Sequence, residues 1–174
     1  MEAWAVGWPQ AIVLLVAFQR IAELVLARRN TARLLAQGGV EIGAGHYPLF
    51  VLLHGSWLLA LFLLVPADAP IHWPLIGLFV LLQLGRVWVI ATLGPYWTTR
   101  IISVPGAPLV TGGPFRYVRH PNYLVVTGEI AVLPLAFGAW EIAIVYSVLN
   151  ALLLRYRIAV EDRALSGRRT PEPA

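Results

Sequence analysis

The sequence contains no cysteine and no lysine. The absence of cysteine excludes disulfide bonds, thiolate metal sites and a cysteine nucleophile. All 13 positively charged side chains are arginines, and charged residues make up only 13% of the chain. The pI is near 10.0, but the arginines flank apolar segments and form no long basic tract. This pattern favours an anionic membrane face as their partner and argues against nucleic acid.

Hydrophobic residues are abundant instead, at 59% of 174 residues, with a mean hydropathy of +0.72. One small soluble core cannot bury this much apolar surface. Three apolar segments, residues 8–27, 47–65 and 73–93, are long enough to cross about 30 Å of hydrocarbon. The sequence therefore predicts an all-α integral membrane protein.

A fourth apolar segment, residues 123–154, is too long for a single crossing. As one straight helix it would rise about 48 Å, at about 1.5 Å per residue. Gly138, with Pro134 just before it, supplies a break. We therefore predict about five transmembrane helices, of which the last two form a helical hairpin and the fifth continues into the cytosol to about Leu165.

The arginines are distributed unevenly along this predicted topology. They cluster after the first span, between the third and fourth spans and at the end of the last helix, whereas the second loop and the hairpin tip have none. The positive-inside rule then places the N-terminus outside and the arginine-bearing loops and the C-terminus in the cytosol. We expect one transmembrane domain over residues 1–165, with its motifs in 94–165, and a polar tail over 166–174. The oligomeric state stays open.

Placing a charged side chain within a membrane span costs free energy, so such residues usually pair with one another or belong to a functional site. Arg20 and Glu23, three residues apart, form either a self-contained ion pair or a substrate-facing site. Gln83 and Arg86 share a face of the third helix. Arg86 has no acidic neighbour in sequence, and we expect Glu129 of the fourth helix to be its partner.

The last helix carries a polar stripe. At about 100° per residue, Tyr146, Asn150, Arg157 and Glu161 fall on one face, whereas Asp162 points away from it. Such a stripe either joins helices through hydrogen bonds or belongs to a site at the end of the bundle.

Metal and common nucleophile signatures are missing. His46, His54 and His72 are scattered without ligand spacing, so no metal is expected. No Ser/His/Asp order is visible, and TGGP at residues 111–114 is only a weak phosphate-binding signal.

The clearest motif is PFRYVRHPNYL at residues 114–124, a polar and basic stretch immediately before a hydrophobic segment. Together with the predicted hairpin and RIAVEDRAL at residues 157–165, it resembles the isoprenylcysteine carboxyl methyltransferase family over about residues 94–165. The matched positions are Arg119, His120, Pro121 and Tyr123 in the first element and Arg157, Ile158, Glu161 and Leu165 in the second. Asp162 replaces a glutamate of the family pattern.

The resemblance implies an S-adenosylmethionine-dependent methyltransferase with a cytosolic cofactor pocket covered by the loop at residues 94–118. Within it, Arg119, His120 and the helix N-terminus at Pro121 would hold the cofactor carboxylate. Tyr123 would pack on or hydrogen-bond to the cofactor, and Glu161 would take its ammonium group or ribose hydroxyls.

The methyl acceptor implied by the resemblance is lipophilic, and its oxygen belongs to a carboxylate, an enol or a phenol. The candidate catalytic residues are Arg157, Arg86 and Asn150. Either arginine can stabilise the oxyanion of a phenol, whose pKa is near 10, and Asn150 lies on the same polar stripe as Arg157. The N-terminal half contains QRIAEL, ARRN and GGVEIGAGHYP. With these segments it resembles the bacterial branch of the family, which methylates long-chain alkylpyrones and alkylresorcinols. A bacterial inner (plasma) membrane is therefore expected.

Two other functions remain open on the sequence. Membrane sterol reductases, which use NADPH, carry a similar basic loop before a terminal hairpin. The other alternative is a non-enzymatic membrane subunit whose basic loops contact anionic lipid or a partner protein.

Overall fold

The computed structural model describes residues 6–169, with side chains described for residues 6–163. Its helices are α1 (Trp8–Ala36), α2 (Tyr47–Leu64), α3 (Trp73–Leu93), α4 (Pro121–Ala136) and α5 (Trp140–Arg169). Its strands are β1 (Val40–Ile42) and β2 (Ile101–Ser103), and short 3-10 turns lie at Ala44–His46, Gly94–Tyr96 and Gly113–Arg116. The architecture is a helical bundle with a two-stranded ribbon at one end, which we call the ribbon end.

Proline marks the beginning of four helices. Pro9, Pro48, Pro74 and Pro121 lie at the first or second position of α1, α2, α3 and α4. Proline is favoured there because the first N–H groups of a helix have no partner within the helix. The same residues thus set the boundaries of the apolar segments.

The outer faces of the helices are apolar. Leu15, Phe18, Leu52 and Leu81 are each more than 60% exposed, a pattern that suits lipid and not water as the surrounding solvent. Within residues 6–169, four helical segments are long and apolar enough to cross a membrane, namely Trp8–Ala36, Ala44–Leu64, Trp73–Tyr96 and Trp140–Arg163. The shorter α4 is also apolar.

The predicted break around Gly138 is present. Gly138 has a φ of 72°, a left-handed conformation that glycine adopts without a Cβ clash. The N–H groups of Phe137 and Ala139 both bond to the carbonyl of Pro134, and that of Gly138 bonds to Leu135, so the last carbonyls of α4 are satisfied. Pro134 itself lies inside α4.

Two helices are longer than the apolar pattern indicated. The helix α1 continues to Ala36, so Arg28, Arg29 and Arg33 lie on its last turns and not in a loop. Alanine, leucine and arginine are good helix formers, and no glycine interrupts the chain before Gly38. The helix α5 continues past Leu165 to Arg169, while residues 170–174 of the expected tail lie outside the described part.

The ribbon is an addition to the predicted all-α fold. The strands β1 and β2 pair antiparallel, with Glu41 opposite Ile102. Arg100 reinforces this contact through an ion pair with Glu41 at 2.8 Å and by lying 4.6 Å from the ring centroid of Tyr47. The ribbon therefore fixes the α1–α2 connection against the long loop that follows α3.

Candidate functional site

A closed ring of four charges, which we call the ion ring, joins α1, α3 and α4. Arg20 contacts Glu23 at 2.7 Å and Glu129 at 2.9 Å. Arg86 contacts Glu23 at 3.3 Å, and its Nε donates to Glu129 at 2.9 Å. Gln83 donates to Glu129 at 2.7 Å. The predicted pairing of Arg86 with Glu129 is confirmed. Arg20 and Glu23 also form an ion pair, but it is not self-contained, because Arg20 also binds Glu129 and Glu23 also binds Arg86.

The ion ring has no net charge, because two arginines face two glutamates. Arg86 and Glu129 are 5% and 3% exposed, and each member of the ring has two partners of opposite sign. Buried charges are tolerated only with such pairing. The pairing within the ring is therefore enough to explain why these charges are buried. Arg20, Glu23 and Arg86 also face a cavity.

That cavity, which we call the helix cavity, has a volume of about 580 Å³. Its wall is built mainly by α1 and α2, and it is closed by one residue of α3, three of α4, two of α5 and the loop after α3. The wall is largely apolar. Its polar side chains include Arg20, Glu23, His54, Tyr123 and Arg157.

A second cavity, the loop cavity, has a volume of about 510 Å³ and lies at the ribbon end. Residues of the loop at 94–118, among them Val104, Leu109 and Phe115, form most of its wall. Arg119, His120 and Glu161 contribute its charged and titratable groups.

Asn30 of α1 fixes the start of that loop. Its side-chain amide donates to the carbonyl of Gly94 at 3.1 Å and to that of Trp97 at 2.9 Å. Gly113, at the other end of the loop, has a φ of 55°, and a Cβ there would lie 2.4 Å from the hydroxyl oxygen of Thr92. Glycine is therefore required where the loop returns against α3.

The side chain of Tyr123 links the two cavities. Arg157 donates from Nε to the Tyr123 hydroxyl oxygen at 2.8 Å, and this hydroxyl donates to the Glu161 carboxylate. Arg157 also donates to the carbonyl of Thr99 at 2.9 Å. Tyr123 and Arg157 line the helix cavity, whereas Glu161 lines the loop cavity. We call Tyr123, Arg157 and Glu161 the junction.

His120 lies beside the junction. Its ring stacks on that of Tyr123, with centroids 5.2 Å apart and planes 18° from parallel. Its Nδ1 is 3.9 Å from Glu161 and its Nε2 is 3.6 Å from Asp162. Asp162, expected to point away from the polar stripe, thus reaches the site from the adjacent face of α5. The buried Nε2 of His120 makes no hydrogen bond within the described residues.

The structure divides the predicted site residues into three groups. Arg119, His120 and Glu161 lie in the loop cavity, and Tyr123, Arg157 and Arg86 lie in the helix cavity. Pro121 and Asn150 line neither cavity. Pro121 begins α4, and Asn150 is fully buried, with neither amide atom hydrogen-bonded within the described residues. Tyr123, expected beside the cofactor, lines the helix cavity, and its hydroxyl bonds to Glu161 of the loop cavity.

Sequence reasoning missed His54, which lies in the wall of the helix cavity. The only available signal was a histidine inside an apolar span, and its spacing from the other histidines does not fit a metal site. It also missed Thr99, whose backbone carbonyl holds Arg157.

Comparison with known proteins identifies the class to which this site belongs. Residues 75–167, about half of the chain, match the isoprenylcysteine carboxyl methyltransferase family, and the chain belongs to that family. It is 37% identical over 158 residues to the uncharacterized protein YpbQ of Bacillus subtilis (strain 168), covering 88% of this chain and 94% of that protein. No solved structure matches.

A second relative is more distant. An uncharacterized protein of Haemophilus influenzae (strain ATCC 51907 / DSM 11121 / KW20 / Rd) is 28% identical over 154 residues, covering 84% of this chain and 88% of that protein. Neither relative carries a described activity. Family membership and the apolar helices together define an integral membrane methyltransferase, and the methyltransferases of this family use S-adenosylmethionine.

Proposed function

We propose that the protein transfers a methyl group from S-adenosylmethionine to an oxygen of a lipophilic acceptor, with the donor in the loop cavity and the acceptor in the helix cavity. The observation that carries this proposal is the junction, which stands between the two cavities and has hydrogen-bonding groups facing each of them. Both volumes lie in the range of about 300–1,000 Å³ that is usual for small-molecule sites.

The loop cavity has the groups that the donor requires. S-adenosylmethionine carries a carboxylate, an ammonium group, ribose hydroxyls and an adenine. Arg119 would pair with the carboxylate and Glu161 with the ammonium group or the hydroxyls, while the apolar wall formed by Val104, Leu109 and Phe115 would cover the adenine. The buried Nε2 of His120, which makes no hydrogen bond within the described residues, would gain one. Pro121, at the N-terminus of α4, lies beside this anion site.

The helix cavity suits a long apolar chain. Leu14 and Ile21 of α1 and Val51 and Leu59 of α2 line it and are also exposed on the outer surface of the bundle. An acceptor can therefore enter sideways from the lipid between α1 and α2. This route explains why a methyltransferase for a small molecule is embedded in a membrane.

The reaction requires alignment more than chemical activation. S-adenosylmethionine supplies a methyl carbon activated by a sulfonium, and the acceptor oxygen must lie about 3–3.5 Å from it and in line. Arg157, held by Tyr123 and Thr99, would orient that oxygen and stabilise its negative charge. Arg86 is less suited to this task because the ion ring already occupies it.

The acceptor oxygen belongs to a carboxylate, an enol or a phenol. A carboxylate or an acidic enol is already ionised near neutral pH, whereas a phenol, with a pKa near 10, needs a cation such as Arg157 beside it. The resemblance of the N-terminal half to the bacterial branch supports long-chain alkylpyrones and alkylresorcinols as the first compounds to test.

We also propose that all five helices cross the membrane, with the N-terminus outside and the ribbon end in the cytosol of a bacterial cell. The 16 residues of α4 rise about 24 Å, and a crossing of this length needs only modest local thinning of the bilayer. Five crossings keep Arg28, Arg33, Arg116 and Arg155 on one side. The loop cavity then opens where water-soluble S-adenosylmethionine is available.

The first experiment is a calorimetric titration of the detergent-purified protein with S-adenosylhomocysteine, the product of the donor. We expect micromolar binding by the wild type and its loss in His120→Ala and Glu161→Ala. The matched controls are His72→Ala and Glu141→Ala, which remove exposed side chains of the same types far from the loop cavity. Both controls should bind as the wild type does.

A folded wild type that binds no S-adenosylhomocysteine would overturn the proposal as stated. NADPH is then the next ligand to titrate, because binding followed by hydride transfer would establish the reductase alternative. If the wild type binds, incorporation of labelled methyl into long-chain carboxylates, enols and phenols identifies the acceptor oxygen.

A further inference from the structure

One stretch of backbone passes from the wall of one cavity to the wall of the other. We call residues 93–104, from the end of α3 to just past β2, the bridge segment. Residues 97–99 in its middle line the helix cavity, whereas residues on either side of them line the loop cavity. The loop-cavity residues of the bridge segment are Leu93, Tyr96, Ile102 and Val104. A displacement of this segment therefore alters both cavities.

Asn30 of α1 fastens the bridge segment at the point where it changes from one cavity to the other. Its Nδ2 donates to the carbonyl of Gly94 at 3.1 Å and to that of Trp97 at 2.9 Å. The Asn30 side chain is buried, and an amide nitrogen carries two hydrogens, so both are used on this segment. The end of α1 thus sets the position of residues 94–97.

An apolar cluster beside Asn30 connects the two walls by packing. Trp97, which lines the helix cavity, packs with Ala27 of α1 and Val89 of α3. Leu93 and Phe115, which line the loop cavity, pack against the same cluster. Because packed side chains leave little free space, a movement on one side of the cluster is felt on the other.

Thr99 extends this connection to the junction. Its carbonyl, two residues after Trp97, accepts a hydrogen bond from Arg157 at 2.9 Å. Arg157 makes only one other hydrogen bond within the described residues, to the Tyr123 hydroxyl at 2.8 Å. A shift of the bridge segment at Thr99 therefore moves the guanidinium that would orient the acceptor oxygen.

We propose that Asn30 is a positioning residue that couples the two cavities through the bridge segment. With the donor in the loop cavity, Ile102 and Val104 pack against it, the bridge segment loses freedom, and the Thr99 carbonyl holds Arg157 in place for the acceptor. Without the Asn30 amide, the two cavities become independent. This inference deepens the proposed function and rests on it for the identity of the two ligands.

Titration with S-adenosylhomocysteine tests the donor side of the coupling. Asn30→Leu keeps nearly the same volume but removes both donated hydrogen bonds, and it should bind about tenfold more weakly than the wild type. Asn30→Gln keeps an amide and should recover part of this loss. The matched control is Gln37→Leu, which removes an exposed amide just after α1. It should bind as the wild type does.

A cysteine reporter tests the acceptor side without any acceptor. The chain has no cysteine, so Thr98→Cys introduces a single thiol in a residue that lines the helix cavity and not the loop cavity. S-adenosylhomocysteine should slow its reaction with N-ethylmaleimide about fivefold, at the low end of the usual coupling between two sites. The slowing should disappear when Asn30→Leu is added. Leu58→Cys, in the same cavity but on α2, is the control and should react equally with and without the ligand.

Each measurement can overturn the inference. Equal affinities of the wild type and Asn30→Leu would do so, as would a Thr98→Cys rate that the ligand leaves unchanged. A slowing that persists in Asn30→Leu would show that Asn30 is only structural. If Asn30→Leu does not fold, the Thr98→Cys rate with Asn30 in place and with Asn30→Gln decides.

Failure of the proposed function is measured separately. A folded wild type that binds no S-adenosylhomocysteine would overturn the proposed function and this inference together. A wild type that binds it, but whose Thr98→Cys thiol reacts at the same rate in both states, would overturn the inference alone.

Discussion

Arg86 of α3 and Glu129 of α4 form a bidentate ion pair that is also shared with α1, since Arg20 binds the same glutamate and Glu23 binds the same arginine. This sharing changes how the pair has to be tested. Exchanging the two charges would place a glutamate at position 86 beside Glu23 and an arginine at position 129 beside Arg20. The exchange would therefore fail to rescue either single substitution even though the pair exists.

Neutral substitutions give a cleaner prediction for the ion ring. Arg86→Met and Glu129→Leu should each lower the free energy of unfolding by about 3 kcal/mol or more, because each leaves a buried charge uncompensated. The double variant leaves Arg20 paired with Glu23 and should be more stable than either single variant. Thermal unfolding in detergent measures this cycle, with the exposed Arg33→Met as a control that should change little. A double variant as unstable as the sum of the singles would contradict the prediction.

The hydroxyl of Tyr123 should matter more for turnover than for folding. Tyr123→Phe removes the atom that joins Arg157 to Glu161. We expect the methyl-transfer kcat to fall about tenfold or more, because Arg157 then keeps only its bond to Thr99 and both side chains are less well aligned. The control is Tyr146→Phe, which removes a hydroxyl that makes no hydrogen bond within the described residues. Equal kcat values for Tyr123→Phe and wild type would show that the junction is only structural.

The absence of cysteine makes the proposed topology directly testable, because any introduced cysteine is the only thiol. Asp68→Cys and Trp140→Cys should react with a membrane-impermeant maleimide in intact cells. Arg29→Cys and Arg116→Cys should react only after the cells are permeabilised. Labelling of Trp140→Cys from the same side as Arg116→Cys would mean that α4 does not cross the bilayer, and the five-crossing arrangement would be wrong.

The turn at Gly138 should require glycine. Its φ of 72° is costly for any residue with a Cβ, and Gly138→Ala should lower the free energy of unfolding by about 1 kcal/mol. Gly77→Ala is the matched control, because Gly77 lies inside α3 with open space around the added methyl group. That substitution should leave stability unchanged or raise it slightly. Thermal unfolding of the two variants side by side decides the point.

Features governed by local rules were predictable from the sequence. The apolar runs, the prolines at helix starts and the Gly138 break depend on neighbouring residues alone. The partnership of Arg86 with Glu129 was also predictable, because a charge in an apolar span needs an opposite charge and few were available.

Features that depend on distant segments were not predictable. The strands of the ribbon have three residues each and are about 60 positions apart, so neither has a recognisable pattern of its own. The helical wheel placed Asn150 on the same face as Arg157 but could not tell a packed contact from a cavity wall. His54 was missed for the same reason, because a cavity exists only where several helices fail to fill the space between them.

The family match begins at residue 75, whereas most of the residues that line the helix cavity belong to α1 and α2. In the proposed function, the residues that would bind the methyl donor therefore lie in a largely different part of the chain from those that would surround the acceptor. If the proposal holds, substitutions of the cavity-lining residues in the first two helices should change which lipid is modified without disturbing the donor site. Exchange of these helices between relatives is consequently a route by which a single transfer chemistry can be redirected to new membrane compounds.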